Sequence, residues 1–143
     1  GYEPIEGNFG VHGDSFVDRF HSDIYMVGSL AYQLVTGVQM AEHLKGEALL
    51  IHPRLWSMNY NEAIPILTSA FNCILERFYS TCVSKFGVKI ADDLKSIVFE
   101  MCHPDKSKRG APKLTRTLHR LSFDRYVGKF STLATRAKVA GLN

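Results

Sequence analysis

Long apolar runs are absent from this sequence of 143 residues. None reaches the roughly 20 residues that a membrane-spanning helix needs, and no charged start followed by an apolar block suggests a signal peptide. We therefore expect no membrane span and an intracellular, cytoplasmic protein.

Cysteine is scarce, and the three cysteines are Cys73, Cys82 and Cys102. Their number is odd, and they form neither a Cys-x-x-Cys motif nor a cluster with histidine, so neither a disulfide framework nor a zinc site is predicted. Because all three lie within apolar helical patterns, we interpret them as small core residues. No metal is expected in this chain.

The sequence also lacks a clear strand signal and a phosphate-binding glycine motif. Gly7, Gly10 and Gly13 follow no strand and precede no Lys-Ser or Lys-Thr pair, so we interpret them as turns. The 45% of apolar residues is enough to bury a core of one domain. These features predict an all-α chain.

Basic charge is concentrated at one end, although the net charge is only +3. Residues 103–143 hold ten of the 17 Lys and Arg and two of the 14 Asp and Glu, a net of +8 that leaves −5 for residues 1–102. Such a segment could bind nucleic acid, an anionic membrane surface or an acidic partner, but a solvated helix face is the commoner explanation. Nucleic acid is disfavoured, because the aromatic residues there follow core spacing.

The clearest helix pattern covers residues 22–36. Its apolar residues recur at three and four positions, Ser22 or Asp23 can cap its start, and Gly37 can end it. Nearly its whole circumference is apolar, which is typical of a helix inside a domain. We therefore predict a buried central helix with other helices packed around it.

Further helices are predicted at 62–86, 88–102 and 111–121, followed by a basic helical tail at 122–143. Asn61 is the candidate cap of the long helix, and Gly87 its stop. Residues 1–21 are predicted as a loop with at most one short helix near 15–20. Residues 38–61 are predicted as irregular, with room for one short helix at 40–44. Trp56, the only tryptophan, is either a partner contact or, more commonly, a plug that holds its loop on the core.

Residues 22–37, Ser-Asp-Ile-Tyr-x-x-Gly-x-x-x-Tyr-x-Leu-x-Thr-Gly, closely resemble the central helix of the large lobe of eukaryotic-type serine/threonine protein kinases. In that family the aspartate holds the backbone of the catalytic loop in place. The resemblance therefore implies that Asp23, with Gly28 five residues later, supports a catalytic loop. It also implies the helical fold of a kinase C-lobe for residues 1–121.

Two further segments resemble kinase motifs in the family's order. Residues 2–6, Tyr-Glu-Pro-Ile-Glu, resemble the Ala-Pro-Glu end of the activation segment. Residues 104–109 resemble the Pro-x-x-x-x-Arg turn, with Gly110 where a proline is more usual. The resemblance implies a buried ion pair between Glu6 and Arg109, with Gly1 and Tyr2 in the substrate platform. Taken alone, Arg109 would be an exposed member of a basic cluster.

The motifs that bind ATP and transfer phosphate are absent: the Gly-rich loop, the strand lysine, the His-Arg-Asp loop and the Asp-Phe-Gly ligand. In kinases all of these motifs come before the Ala-Pro-Glu position, so in this chain they would lie before residue 1. The resemblance thus implies a fragment that needs an upstream kinase portion, acts on a protein substrate, and has ATP and Mg only in the complete parent.

The alternative is a non-catalytic, pseudokinase-like interaction module that binds a protein through the long helix or the basic tail. The candidate partner-surface residues are Trp56, Arg125, Lys129, Arg136 and Lys138.

Overall fold

A computed structural model describes residues 2–110 and 123–142, and this part of the chain is all-helical without a strand. The prediction of an all-α chain is confirmed for these residues. The helix predicted at 111–121 lies outside the described residues.

The five α-helices that the structure describes are α1 (Phe16–Thr36), α2 (Met40–Ile51), α3 (Tyr60–Phe86), α4 (Val88–Cys102) and α5 (Asp124–Val139). Short 3-10 helices cover Ile5–Phe9, Leu55–Ser57 and Lys106–Lys108.

Helix α1 begins six residues before the predicted start at residue 22. Its cap is Ser15, whose side chain accepts a hydrogen bond from the Asp18 backbone N–H at 3.1 Å, so the assignment of the cap to Ser22 or Asp23 was wrong. Asp18 lies in the first turn, where a helix dipole favours an acid. The end is as expected: Gly37 has a φ of 78° and donates its N–H to the Gln33 carbonyl.

The prediction that α1 is buried around its circumference was also wrong. Ile24, Tyr25 and Tyr32 are buried, whereas Leu30 is 45% exposed and Leu34 is 78% exposed. Helices α2, α3 and α4 contact α1, but they do so on one side of it. An apolar pattern indicates that a face favours burial, yet it does not say whether the covering element belongs to the same stretch of chain.

Helix α2 occupies half of the segment predicted as irregular and extends beyond the short helix expected at 40–44. It buries Met40, Ala41, Leu44 and Ala48, which lie on one side of a helix, while Gly46 and several polar residues weaken the sequence signal. Pro53 follows its end, as expected for a residue that cannot continue a helix.

Helix α3 starts at Tyr60, so its cap is Asn59 and the expected cap Asn61 was wrong. The Asn59 side chain accepts a hydrogen bond from the Glu62 N–H at 3.0 Å, and the Asn59 N–H donates to the Glu62 carboxylate at 3.2 Å. This reciprocal capping box fixes the helix start.

Helix α4 has the predicted range and packs along α3, while α5 contacts α4. No helix in residues 2–110 or 123–142 is long and apolar enough to cross a membrane.

Candidate functional site

A buried ion pair joins the segment before α1 to the turn after α4. Arg109 donates from Nη1 to Glu6 Oε1 at 2.8 Å and from Nη2 to Glu6 Oε2 at 3.0 Å. The two residues are 103 positions apart, and their side chains are only 0% and 8% exposed. The structure thus brings the two sequence-predicted residues together in a two-pronged geometry that suits guanidinium and carboxylate.

The Arg109 guanidinium also has partners for its remaining N–H groups. Its Nε and Nη2 donate to the His103 carbonyl at 3.1 and 3.0 Å, and Nη1 donates to the His21 carbonyl at 3.4 Å. The ring of Tyr25 lies 4.8 Å from the guanidinium carbon. Burial alone would lower the pKa of Arg109, but the hydrogen bonds and charge of Glu6 raise it. The guanidinium therefore stays charged with all five donors used.

Backbone turns hold both partners in place. Glu6 lies in the 3-10 helix Ile5–Phe9, and Arg109 directly follows the 3-10 helix Lys106–Lys108. Tyr60, the first residue of α3, donates from its hydroxyl to the Pro104 carbonyl and accepts from the Lys106 N–H at 3.3 Å. The start of α3 therefore fixes the turn that carries Arg109.

Gly28 lies in the contact between α1 and α4. A Cβ built on Gly28 would lie 2.5 Å from Cys102 Sγ and 2.7 Å from Met101 Cβ, which is closer than any real contact. The glycine therefore allows the two helices to approach closely. The sequence did not reveal this packing role, because the contacting residues lie more than 70 positions further along the chain.

Asp23 is on the opposite side of α1 from Gly28, so the structure does not bring these two predicted residues together. We call the exposed residues on this side the α1 stripe: Asp23, Met26, Val27, Leu30 and Leu34. They recur at three and four positions and form one helix face. Within residues 2–110 and 123–142, the Asp23 carboxylate has no hydrogen-bond or ion-pair partner.

The residues that directly follow Tyr2 line a groove beside the ion pair. Gly1 is outside the described residues, and Tyr2 is partly exposed. The groove has a volume of about 340 Å³. It is lined by residues of the segment before α1 and of α1 itself, among them Glu3, Asp14, Ser22 and Met26. The groove extends from the 3-10 helix that carries Glu6 to Met26 in the α1 stripe.

The predicted partner-surface residues are mostly engaged within the chain. Arg125 and Lys129 contact Glu100, and Arg136 contacts Asp93. Lys138 is exposed. The centre of the Trp56 ring lies 5.2 Å from that of Phe9, so this tryptophan packs within the chain. It is also 43% exposed, so part of its surface stays accessible to a partner.

His103 links the ion pair to the core. Its ring contacts Phe71 and Phe99, and its Nδ1 accepts a hydrogen bond from the Asp105 N–H at 3.1 Å. Burial lowers the pKa of His103, because it penalises the imidazolium. The folded chain therefore favours the neutral ring.

This pKa shift predicts a loss of stability in mild acid. The unfolded chain binds the proton more readily, so the contribution is present above about pH 6.5 and falls below it by at most about 1.4 kcal/mol per pH unit. We expect urea unfolding of the wild type to show this decrease between pH 7.5 and 5.5. In His103→Asn, whose Oδ1 can replace Nδ1 as acceptor, the decrease should be smaller. An equal decrease in both proteins would contradict the assignment.

Within the described residues, no group of three or more His, Cys, Asp or Glu side chains could hold a metal ion. Comparisons with protein-family models, with curated proteins and with solved structures each returned no match for this chain.

Proposed function

We propose that this chain is the C-terminal portion of the large lobe of a serine/threonine protein kinase-like protein. It supplies the substrate platform and the structural support of that lobe, and it transfers no phosphoryl group by itself. The observation that carries the proposal is the buried pair of Glu6 and Arg109. In the kinase family the same two segments, the activation-segment end and the turn after a late helix, are joined in this way.

The pair is informative because a buried charge is costly unless it is fully compensated. Desolvation of two ions costs several kcal/mol each, and only excellent geometry and further hydrogen bonds offset that cost. Arg109 has such geometry, with the His103 and His21 carbonyls completing its shell. Lys108, the neighbouring residue in the same basic cluster, is exposed to solvent, which compensates its charge without such contacts.

The α1 stripe supports the same proposal. In the resemblance, Asp23 braces a catalytic loop that precedes residue 1. An apolar helix face with one accessible carboxylate suits a covering segment that brings apolar side chains and N–H donors. Met26, Leu30 and Leu34 would gain burial from such a segment.

ATP and Mg belong to the complete parent in this proposal. The upstream motifs would hold ATP and Mg, and we assign no residue of this chain to binding either of them. The contribution of this chain is therefore architectural: Glu6 and Arg109 anchor the platform, and Asp23 supports the loop.

The interaction-module alternative receives less support. Much of α3 is committed to the core, including Leu67, Phe71 and Phe78. Three of the four basic residues assigned to a partner surface on the tail contact acids of α4. We therefore propose no second function.

The proposal predicts that upstream residues of the parent protein cover the α1 stripe. Cys73 was interpreted as a core residue but is exposed, so its thiol would also be labelled. Thiol labelling therefore tests the covering with Leu30→Cys in a Cys73→Ser background, prepared both as residues 1–143 and within the parent chain. We expect labelling at position 30 to be slower in the parent by about tenfold or more, because a covered thiol reacts only after local opening.

The matched control is Leu50→Cys in the same background, since Leu50 is 80% exposed at the end of α2, away from the stripe. Its labelling rate should be the same in both proteins. Equal rates at position 30 in the two proteins would refute the proposed covering.

A further inference from the structure

Helix α5 is held to the rest of the chain with little apolar burial. Tyr126 is its one buried residue, while Val127 is 61% exposed and Val139 is 85% exposed. Phe130, Leu133 and Ala137 continue an apolar stripe from Tyr126, but they are only partly buried against the core. By contrast, α3 and α4 each bury a continuous apolar stripe. Apolar packing is therefore weaker for α5 than for these two helices.

Charge pairs make up much of the remaining contact between α5 and α4. Arg125 donates from Nε and Nη2 to Glu100 Oε1 at 3.0 and 2.8 Å, and Lys129 Nζ lies 3.4 Å from Glu100 Oε2. Near the other end of α5, Arg136 pairs with Asp93. The acids are two helical turns apart on α4, so the pairs hold α5 at two separate points.

The space between these two points is open. A pocket of about 540 Å³ lies between α4 and α5, and its walls include Asp93, Ser96, Lys129 and Thr132. Gly128 also lines it, and a Cβ added there would meet no atom within 4 Å. The side chains of the two helices therefore do not interdigitate here, and salt ions can reach the charges.

From these observations we infer that α5 is a charge-held strap, which opens from α4 at high ionic strength while α1 to α4 stay folded. Opening would separate Arg125, Lys129 and Arg136 from their acids and expose Tyr126. This inference is independent of the proposed function, because it rests only on the contact between α4 and α5.

Amide hydrogen exchange of residues 1–143 tests the inference, read separately for α5 and α3 at about 0.05 M and 1 M KCl. We expect protection of the α5 amides to fall about tenfold or more at the higher salt, since partly exposed pairs are weakened by screening. Protection of the α3 amides should change far less. Unchanged α5 protection, or a parallel loss in α3 and α5, would overturn the inference.

Charge reversal separates the ion pairs from other salt effects. Asp93→Arg should reduce α5 protection at low salt, and adding Arg136→Asp should restore it. The control is Glu76→Arg, which removes a pair with Lys95 that does not involve α5 and should leave α5 protection unchanged. Failure of the second substitution to restore protection would contradict the strap.

Discussion

Replacing Arg109 with alanine is expected to lower the free energy of unfolding by about 3–5 kcal/mol, the largest effect of any single substitution considered for this chain. The change leaves the Glu6 carboxylate buried without its two hydrogen bonds. It also leaves the His103 carbonyl without the Arg109 donors and removes the ring contact with Tyr25. Urea unfolding followed by circular dichroism measures the difference.

The matched control is Lys95→Ala, which breaks the exposed pair with Glu76 and should cost no more than about 1 kcal/mol. The double variant Glu6→Leu with Arg109→Met should be less destabilised than Arg109→Ala, because it leaves no unmatched charge. If Arg109→Ala and Lys95→Ala cost the same, the pair has no special structural role.

Replacing Gly28 with alanine is expected to destabilise the chain by about 1–3 kcal/mol, although alanine is the better helix former. The added Cβ would lie 2.7 Å from Met101 Cβ, an atom fixed directly to the α4 backbone, so the helices would have to separate. Thermal unfolding monitored by circular dichroism reads the effect.

Gly46 provides the matched control, because it lies within α2 with nothing within 4 Å of an added Cβ. Gly46→Ala should stabilise the chain by about 0.5–1 kcal/mol, opposite in sign to Gly28→Ala. Adding Cys102→Ala to Gly28→Ala should relieve only part of the strain, since the Met101 contact remains. A Gly28→Ala protein as stable as Gly46→Ala would show that the close approach of α1 and α4 is not required.

The parts of the fold that could be predicted are those set by local signals. The range of α4 follows from an apolar stripe between Gly87 and Pro104, and the end of α1 follows from Gly37. The start of α1 was placed at residue 22, apart from the short helix allowed near 15–20, because Ser15 and Asp18 lie in a polar, glycine-rich stretch that resembles a loop. Helix α2 was predicted only as a short helix at 40–44, because two of its four buried positions are alanines, which give a weak apolar signal.

The candidate site was only partly predictable because it depends on long-range contacts. Glu6 and Arg109 could be matched through the order of motifs, but the carbonyl partners of Arg109 could not. Gly28 could be marked as a motif residue, whereas its contact with Cys102 needs the packing of two helices. Periodicity predicted the apolar character of α1 but could not predict which side of it faces solvent.

The most direct test of the kinase-like assignment compares the intact mass and terminal sequence of the natural protein with the gene that encodes residues 1–143. We predict coding sequence before residue 1 that includes a His-Arg-Asp-like catalytic loop and an Asp-Phe-Gly-like metal ligand. Asp23 would then lie beneath that loop. A natural protein that lacks both motifs upstream of residue 1 would contradict the assignment, and Glu6 and Arg109 would then be the support of an unrelated helical fold.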